Sequence, residues 1–144
     1  MAITYKTQGK RSLFDEEFIV EKLSGIGNPL ETISKVIDFE MFRAPLESKL
    51  LNLDKKSNAG AKPFDVVLMF KILILQRYYG LGDKQIEYQI LDRISFKKFL
   101  CITSGDKVPD EKTVWLFREN VTKTGLVEEL FAQFKSYLES KELI

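Results

Sequence analysis

KPFDVVLMFKILILQRYYGLGDKQIEYQILDRISFKKFLCITSGDKVPDEKTVWLFRENV, residues 62–121, decides the fold. Its opening is apolar on nearly every side. Val66, Val67, Leu68, Met69, Phe70, Ile72, Leu73, Ile74 and Leu75 leave Lys71 as the lone charge among them. A helix with so little polar face has no side to give to water, so it is expected at the centre, surrounded by other elements. Asp65 supplies its N-cap, and Gly80 and Gly82 end it. Three shorter helices follow. One runs from an Asp83 N-cap to about Leu91, with Ile86 and Ile90 inward. Residues 95–100 make the second, with Phe96, Phe99 and Leu100 inside and Lys97 and Lys98 outside. The third is capped by Asp110 and carries Val114, Phe117 and Val121 on one stripe.

Upstream of this stretch, residues 52–63 (NLDKKSNAGAKP) are polar and without periodicity, which predicts a linker. Before it, residues 15–23 predict a short helix with Phe14, Phe18 and residues 20–23 on its apolar side, ended by Gly25 and Gly27. Asn28-Pro29-Leu30-Glu31 is a strong helix start: a side chain that can cap, proline at the first helical position and an acid in the first turn. Residues 39–53 form a further amphipathic segment, with a break or kink expected at Pro45. Downstream, Gly125 separates a last helix whose stripe is Leu126, Val127, Leu130, Phe131, Phe134 and Leu138. No segment alternates like a strand, and hairpin dipeptides and repeats are absent. The expected fold is therefore all-α, a small domain of about six to seven helices. A helical preamble, 1–53, packs on a helical body, 54–144, which holds a helix-turn-helix-like unit at 83–123.

Composition narrows the function. With 44% hydrophobic and 30% charged residues, the 144-residue chain has the make-up of a folded globular domain. The net charge of +1 hides a split: residues 55–123 hold roughly 13 basic and 8 acidic side chains, while both flanks are acidic on balance. Histidine is absent, which removes imidazole acid–base chemistry and imidazole metal sites, and a single cysteine makes structural zinc a poor fit. Cys101 cannot form an internal disulfide, which suits a reducing cytoplasm; beside Leu100 and Ile102 it reads as a small buried hydrophobe. The start, MAITYKTQGKRSLF, lacks the apolar core of a signal peptide. The longest apolar run falls well short of the ~20 residues of a membrane span. A soluble cytoplasmic protein without membrane contact is expected.

Catalysis finds little support. The acidic residues fall at helix starts or on outward faces, and SGDK at 104–107 lacks phosphate-loop spacing. Nucleic-acid binding is the sharper reading. A helix beginning at Asp110 would present Lys112 and Thr113 in its first turn, the end that enters the major groove in helix-turn-helix units. Arg118 lies further along, within reach of flanking phosphates, and Arg93, Lys97 and Lys98 make a second basic cluster. The competing reading is a solvated helix face, with Arg118 paired to an acid across a helix contact and Trp115 used for packing.

Two motifs tip this balance. DKQIEYQILDRISFKKFL at 83–100 and VPDEKTVWLFR at 108–118, after the aromatic pair and glycine of RYYGL at 77–81, resemble the N-terminal domain of bacterial insertion-sequence transposases of the IS-five type. Arg11-Ser12-Leu13-Phe14 and GLVEELF at 125–131 are similar too, so the resemblance covers nearly the whole chain. It implies a cut-and-paste DNA transposase whose N-terminal region helps recognise the terminal inverted repeats of the element. Members carry a C-terminal RNase-H-like domain with an Asp-Asp-Glu triad that binds a divalent metal, usually magnesium. That domain would begin beyond Ile144, and no residue here matches the triad. The chain alone is thus expected to be no enzyme and to hold no cofactor. Relatives often place a small residue such as glycine where Cys101 stands.

The expected partner is double-stranded DNA at the element ends, with Arg93, Lys97, Lys98, Lys112 and Arg118 anchoring phosphates and Thr113 nearest the base edges. The alternative is a dimerisation module that pairs transposase subunits through the apolar preamble and the stripe Leu126, Leu130, Phe134 and Leu138.

Overall fold

The computed structural model describes residues 2–6, 9, 14–50 and 63–142. The expected linker, Pro63 aside, and Arg11-Ser12-Leu13 lie outside the described residues. Helix α1 spans Asp15–Ile26, α2 Pro29–Val36, α3 Arg43–Leu50, α4 Val66–Tyr79, α5 Asp83–Asp92, α6 Ile94–Leu100, α7 Glu111–Lys123 and α8 Leu126–Ser140. A single turn of 3-10 helix, Phe39–Phe42, leads into α3. Among the described residues there is no strand, and the fold is all-α. Among the described residues there are eight α-helices, and extended backbone at Ile37 and Asp38 separates α2 from the 3-10 turn.

Helix α4 is the hub. Val67, Met69, Phe70, Ile72, Leu73, Ile74 and Leu75 are all buried, and α3, α5, α6 and α7 pack around it. Asp65 caps it by accepting from the backbone N–H groups of Val67 and Leu68, and Gly80 closes it in the left-handed conformation, φ 63°. Around α4 the phenylalanines make a connected cluster: Phe42 to Phe70 at 4.8 Å between ring centroids, Phe70 to Phe131 at 5.4 Å, Phe39 to Phe134 at 5.8 Å and Phe39 edge-on to Phe99 at 5.4 Å. Tilted and edge-on pairs of this kind add about 1 kcal/mol each beyond the area they bury. The preamble shares this core, since Phe39, Phe42 and Leu46 are buried in it.

Pro45 does not break its helix. The change of geometry comes earlier, between the 3-10 turn and Arg43, and Pro45 is the third residue of α3. In a first turn the backbone N–H has no carbonyl four residues back, so proline removes nothing there. The stripe on α8 lies inward: Leu126, Leu130, Phe134 and Leu138 are each at most 3% exposed. Helix α1 is the reverse. It runs through Gly25 to Gly27, φ 110°, and packs on α6, yet leaves Phe18 60%, Ile19 44% and Ile26 73% exposed. No helix among the described residues is long and apolar enough to cross a membrane.

Candidate nucleic-acid interface

The sequence-expected residues fall into two groups, on α6 and on α7, whose helices share α4 and α5 as neighbours. Helix α6 packs on α1, α2, α4 and α5, whereas α7 packs on α3, α4, α5 and α8, and the two barely touch each other. Within the run α5–α6–α7, α5 packs on both of the other helices.

At the first group, Arg93 is the joint between α5 and α6, with extended backbone that ends one helix and starts the next. Its guanidinium lies 4.7 Å from the Phe96 ring centroid and 5.3 Å from that of Tyr79, a stacking that holds the charge at an exposed position. Lys97 is half-buried, with Nζ 3.5 Å from Ser104 Oγ; Lys98 is exposed. Beside them a cleft of about 740 Å3 runs between α2 and α6, with Lys35, Lys71 and Lys98 on its walls. On its floor, Lys71 Nζ donates to the Phe99 carbonyl at 2.9 Å and sits over the Phe39 and Phe99 rings, which is how α4 carries a charge in its apolar run.

The second group gathers where α5 and α7 begin. Asp110 caps α7 by accepting from the Thr113 N–H at 2.8 Å. Hydrogen bonds from the Thr113 side chain and backbone hold the Asp110 carboxyl below the usual carboxylate range. Thr113 is thus engaged by the cap, while Lys112 is exposed. A shallow cleft of about 710 Å3 brings Lys112 together with Lys84, Gln85, Glu111 and Trp115. Trp115 is 48% exposed and its neighbour Leu116 53%, so the tryptophan expected to pack faces largely outward. The packing is done by Val114 and Val121, both fully buried.

Arg118 is placed inward. Its Nη1 donates to Asp83 Oδ1 and its Nη2 to Asp83 Oδ2, both at 2.7 Å, and Nη1 also reaches Gln76 Oε1 at 3.2 Å. Gln76 Nε2 donates in turn to Asp83 Oδ1 at 2.8 Å. One residue from each of α4, α5 and α7 is tied in this triad. The Arg118 hydrogen bonds, with a smaller share from Gln76, hold the Asp83 carboxyl below its usual range against the opposing effect of burial, and Asp83 in turn raises the Arg118 guanidinium. For the same reason Asp83 does not cap α5. It is the first helical residue, Gly82 is the N-cap, and Gln85 Oε1 accepts the Gly82 N–H at 2.7 Å.

Every described arginine is engaged in a planar contact: Arg43 with Glu40, Glu47 and Asp65, Arg77 with Glu128 and over the Phe131 ring at 3.9 Å, Arg93 on its two rings, and Arg118 with Asp83. Lys84, Lys98 and Lys112 form no salt bridge among the described residues and are exposed. Sequence reasoning missed Lys84, although its place just inside a helix start repeats that of Lys112. Cys101 is exposed rather than buried, with φ 60° as the left-handed C-cap of α6. Among the described residues, no group of three or more cysteine or acidic side chains converges as a metal site would require.

Fold and surface define an all-helical domain whose described arginines are engaged with carboxylates or rings, while lysines and aromatic rings beside α5 turn outward. The chain belongs to the transposase domain family (DUF772), whose model matches residues 18–120, a span that takes in all six residues named above. No solved structure matches the chain.

Proposed function

We propose that this chain is the DNA-binding region of an insertion-sequence transposase of the IS-five type and that it recognises the terminal inverted repeats of its element in the bacterial cytoplasm. The observation that carries the reading is the surface set of exposed, unbridged cations on a member of a transposase family. Lys98, with Arg93 and Lys97 beside it, and Lys112 at the start of α7 supply the sequence-independent phosphate contacts that dominate DNA affinity and fix register. In this reading the first turn of α7 sets Thr113 nearest the base edges, with Lys112 on the flanking phosphate. Arg118, held by Asp83, contributes by fixing α7 rather than by reaching a phosphate of its own.

The test is fluorescence-anisotropy binding to duplex DNA from the element ends and to scrambled duplex across a salt series. The end sequence should bind tighter, with a steep salt slope on both. Replacing Lys97, Lys98 and Lys112 together by alanine should flatten that slope by roughly three units, about one per lost phosphate contact. Unchanged affinity and slope in the triple variant would rule out this face.

A second reading, a surface that pairs transposase subunits, draws on α1, whose Phe18, Ile19 and Ile26 stay exposed. Sedimentation of a monomer at high micromolar concentration would remove it. The α8 stripe gives it no help, being buried in this chain's own core.

A further inference from the structure

The start of α7 carries a feature that phosphate anchoring on duplex DNA does not use. Trp115 lies 48% exposed in a concave site of about 710 Å3, with Lys84 from α5 and Lys112 from its own helix on the same walls. A fully paired duplex offers phosphates to lysines but keeps the faces of its bases stacked inside, so it has no use for an indole plane. An unpaired base does: its π-face stacks on an aromatic ring whatever its identity, while cations beside the ring hold its phosphate. The charge of the cleft fits. Asp83 is neutralised by its bidentate pair with Arg118, which leaves Glu111 as the one cleft carboxylate without a salt bridge among the described residues, against two exposed lysines. The volume is also of the order that takes one nucleotide.

We propose that Trp115, in the cleft it shares with Lys84 and Lys112, is a stacking platform for an unpaired nucleobase whose phosphate the two lysines hold. The ligand class is a single-stranded or extrahelical nucleotide, of the kind present wherever a DNA end is frayed, nicked or distorted. This rests on the reading of the chain as a DNA-binding region and adds to it a second mode of contact, sequence-tolerant and distinct from groove binding.

Trp115 is the sole tryptophan of the chain, so its emission reports on this cleft alone. The whole chain is titrated with three probes: a blunt duplex, the same duplex with one bulged thymine, and oligothymidylate. Tryptophan emission and anisotropy of labelled DNA are read together. Stacking should quench Trp115 with the bulged duplex and oligothymidylate but not with the blunt duplex. Trp115→Ala should lower affinity for oligothymidylate on the order of tenfold while leaving the blunt duplex nearly unaffected. Lys84→Ala and Lys112→Ala should each weaken the single-stranded probe and flatten its salt slope, and Glu111→Gln should tighten it. Equal binding of blunt and bulged duplex with unquenched emission overturns the platform and leaves the duplex reading standing. No binding to any probe overturns both. A blue shift of emission with protein concentration alone would mean that a second copy covers the ring, and that too defeats the proposal.

Discussion

At the scale of single residues, the Gln76–Asp83–Arg118 triad ties together helices separated by long stretches of sequence. Its two guanidinium–carboxylate bonds are both 2.7 Å, and the partners are only 20% and 33% exposed, so solvent screening is partial. Asp83→Asn should cost about 2 kcal/mol at neutral pH, measured as a shift in urea midpoint. The pH dependence has a definite sign. The folded carboxyl titrates below its unfolded value, so the stabilisation is complete above about pH 4 and fades as pH falls through the lowered value. The gap between the native chain and Asp83→Asn should therefore narrow on acidification below pH ~4. A gap that stays constant to pH ~2 would show that the pair contributes through shape alone. Asp65 and Asp110 are lowered as well, so the native chain keeps other acid-sensitive groups and only the difference isolates Asp83. Nothing in the local sequence discloses the triad: Asp83 stands where an N-cap belongs, and its real partner comes 35 positions later.

At the scale of elements, helix ends were the most legible part of the sequence where a cap is local. Asn28 before Pro29, Asp65, Gly80 and Asp110 all act at the positions their chemistry assigns. The end of α6 shows the opposite. Cys101 takes φ 60°, ψ 37°, donates its backbone N–H to the carbonyls of Lys97 and Lys98, and lets the Ile102 N–H return to Lys97 at 3.0 Å. This left-handed closure favours glycine, and a side chain there is held at a cost. The exposed thiol, 4.0 Å from Lys71 Nζ, buries little in return. Cys101→Gly should thus stabilise the chain by about 1 kcal/mol, read from thermal or urea unfolding, whereas Cys101→Val should destabilise it. A destabilised glycine variant would mean that the thiol contributes more than the backbone costs. Hydrophobic neighbours in the sequence suggested a buried cysteine because periodicity says nothing about φ. The same limit applies to α1, where an apolar pattern marks a helix but not what covers it.

For the whole molecule, the preamble and the body share one core. Phe39, Phe42 and Leu46 join α4 and α8 in one core, and α6 lies against α1, α2 and α4 together. Leu46 is fully buried, so Leu46→Ala should cost about 3 kcal/mol. The urea midpoint should drop with the slope unchanged, and helicity should still be lost in one transition. A variant that melts in two steps would make the preamble a separate folding unit. The all-helical class and the central place of α4 were readable from residues 66–75, since a helix apolar on every side has few other places to go. The arrangement of the basic residues was not, because which lysines share a cleft depends on how α5 sits between α6 and α7.

The unequal employment of the two kinds of cation bears on how such a chain can drift over generations. Arg43 and Arg118 each use the fork of the guanidinium, so lysine cannot stand in for them without losing a bond. Lys84, Lys98 and Lys112 ask only for a positive charge on a flexible stem, and arginine serves there as well. Exchange between the two residues therefore runs one way on this scaffold: lineages can gain arginine at the lysine positions, while Arg43 and Arg118 stay as they are. A transposase domain built like this can change its surface charge groups without disturbing the joints that keep it folded.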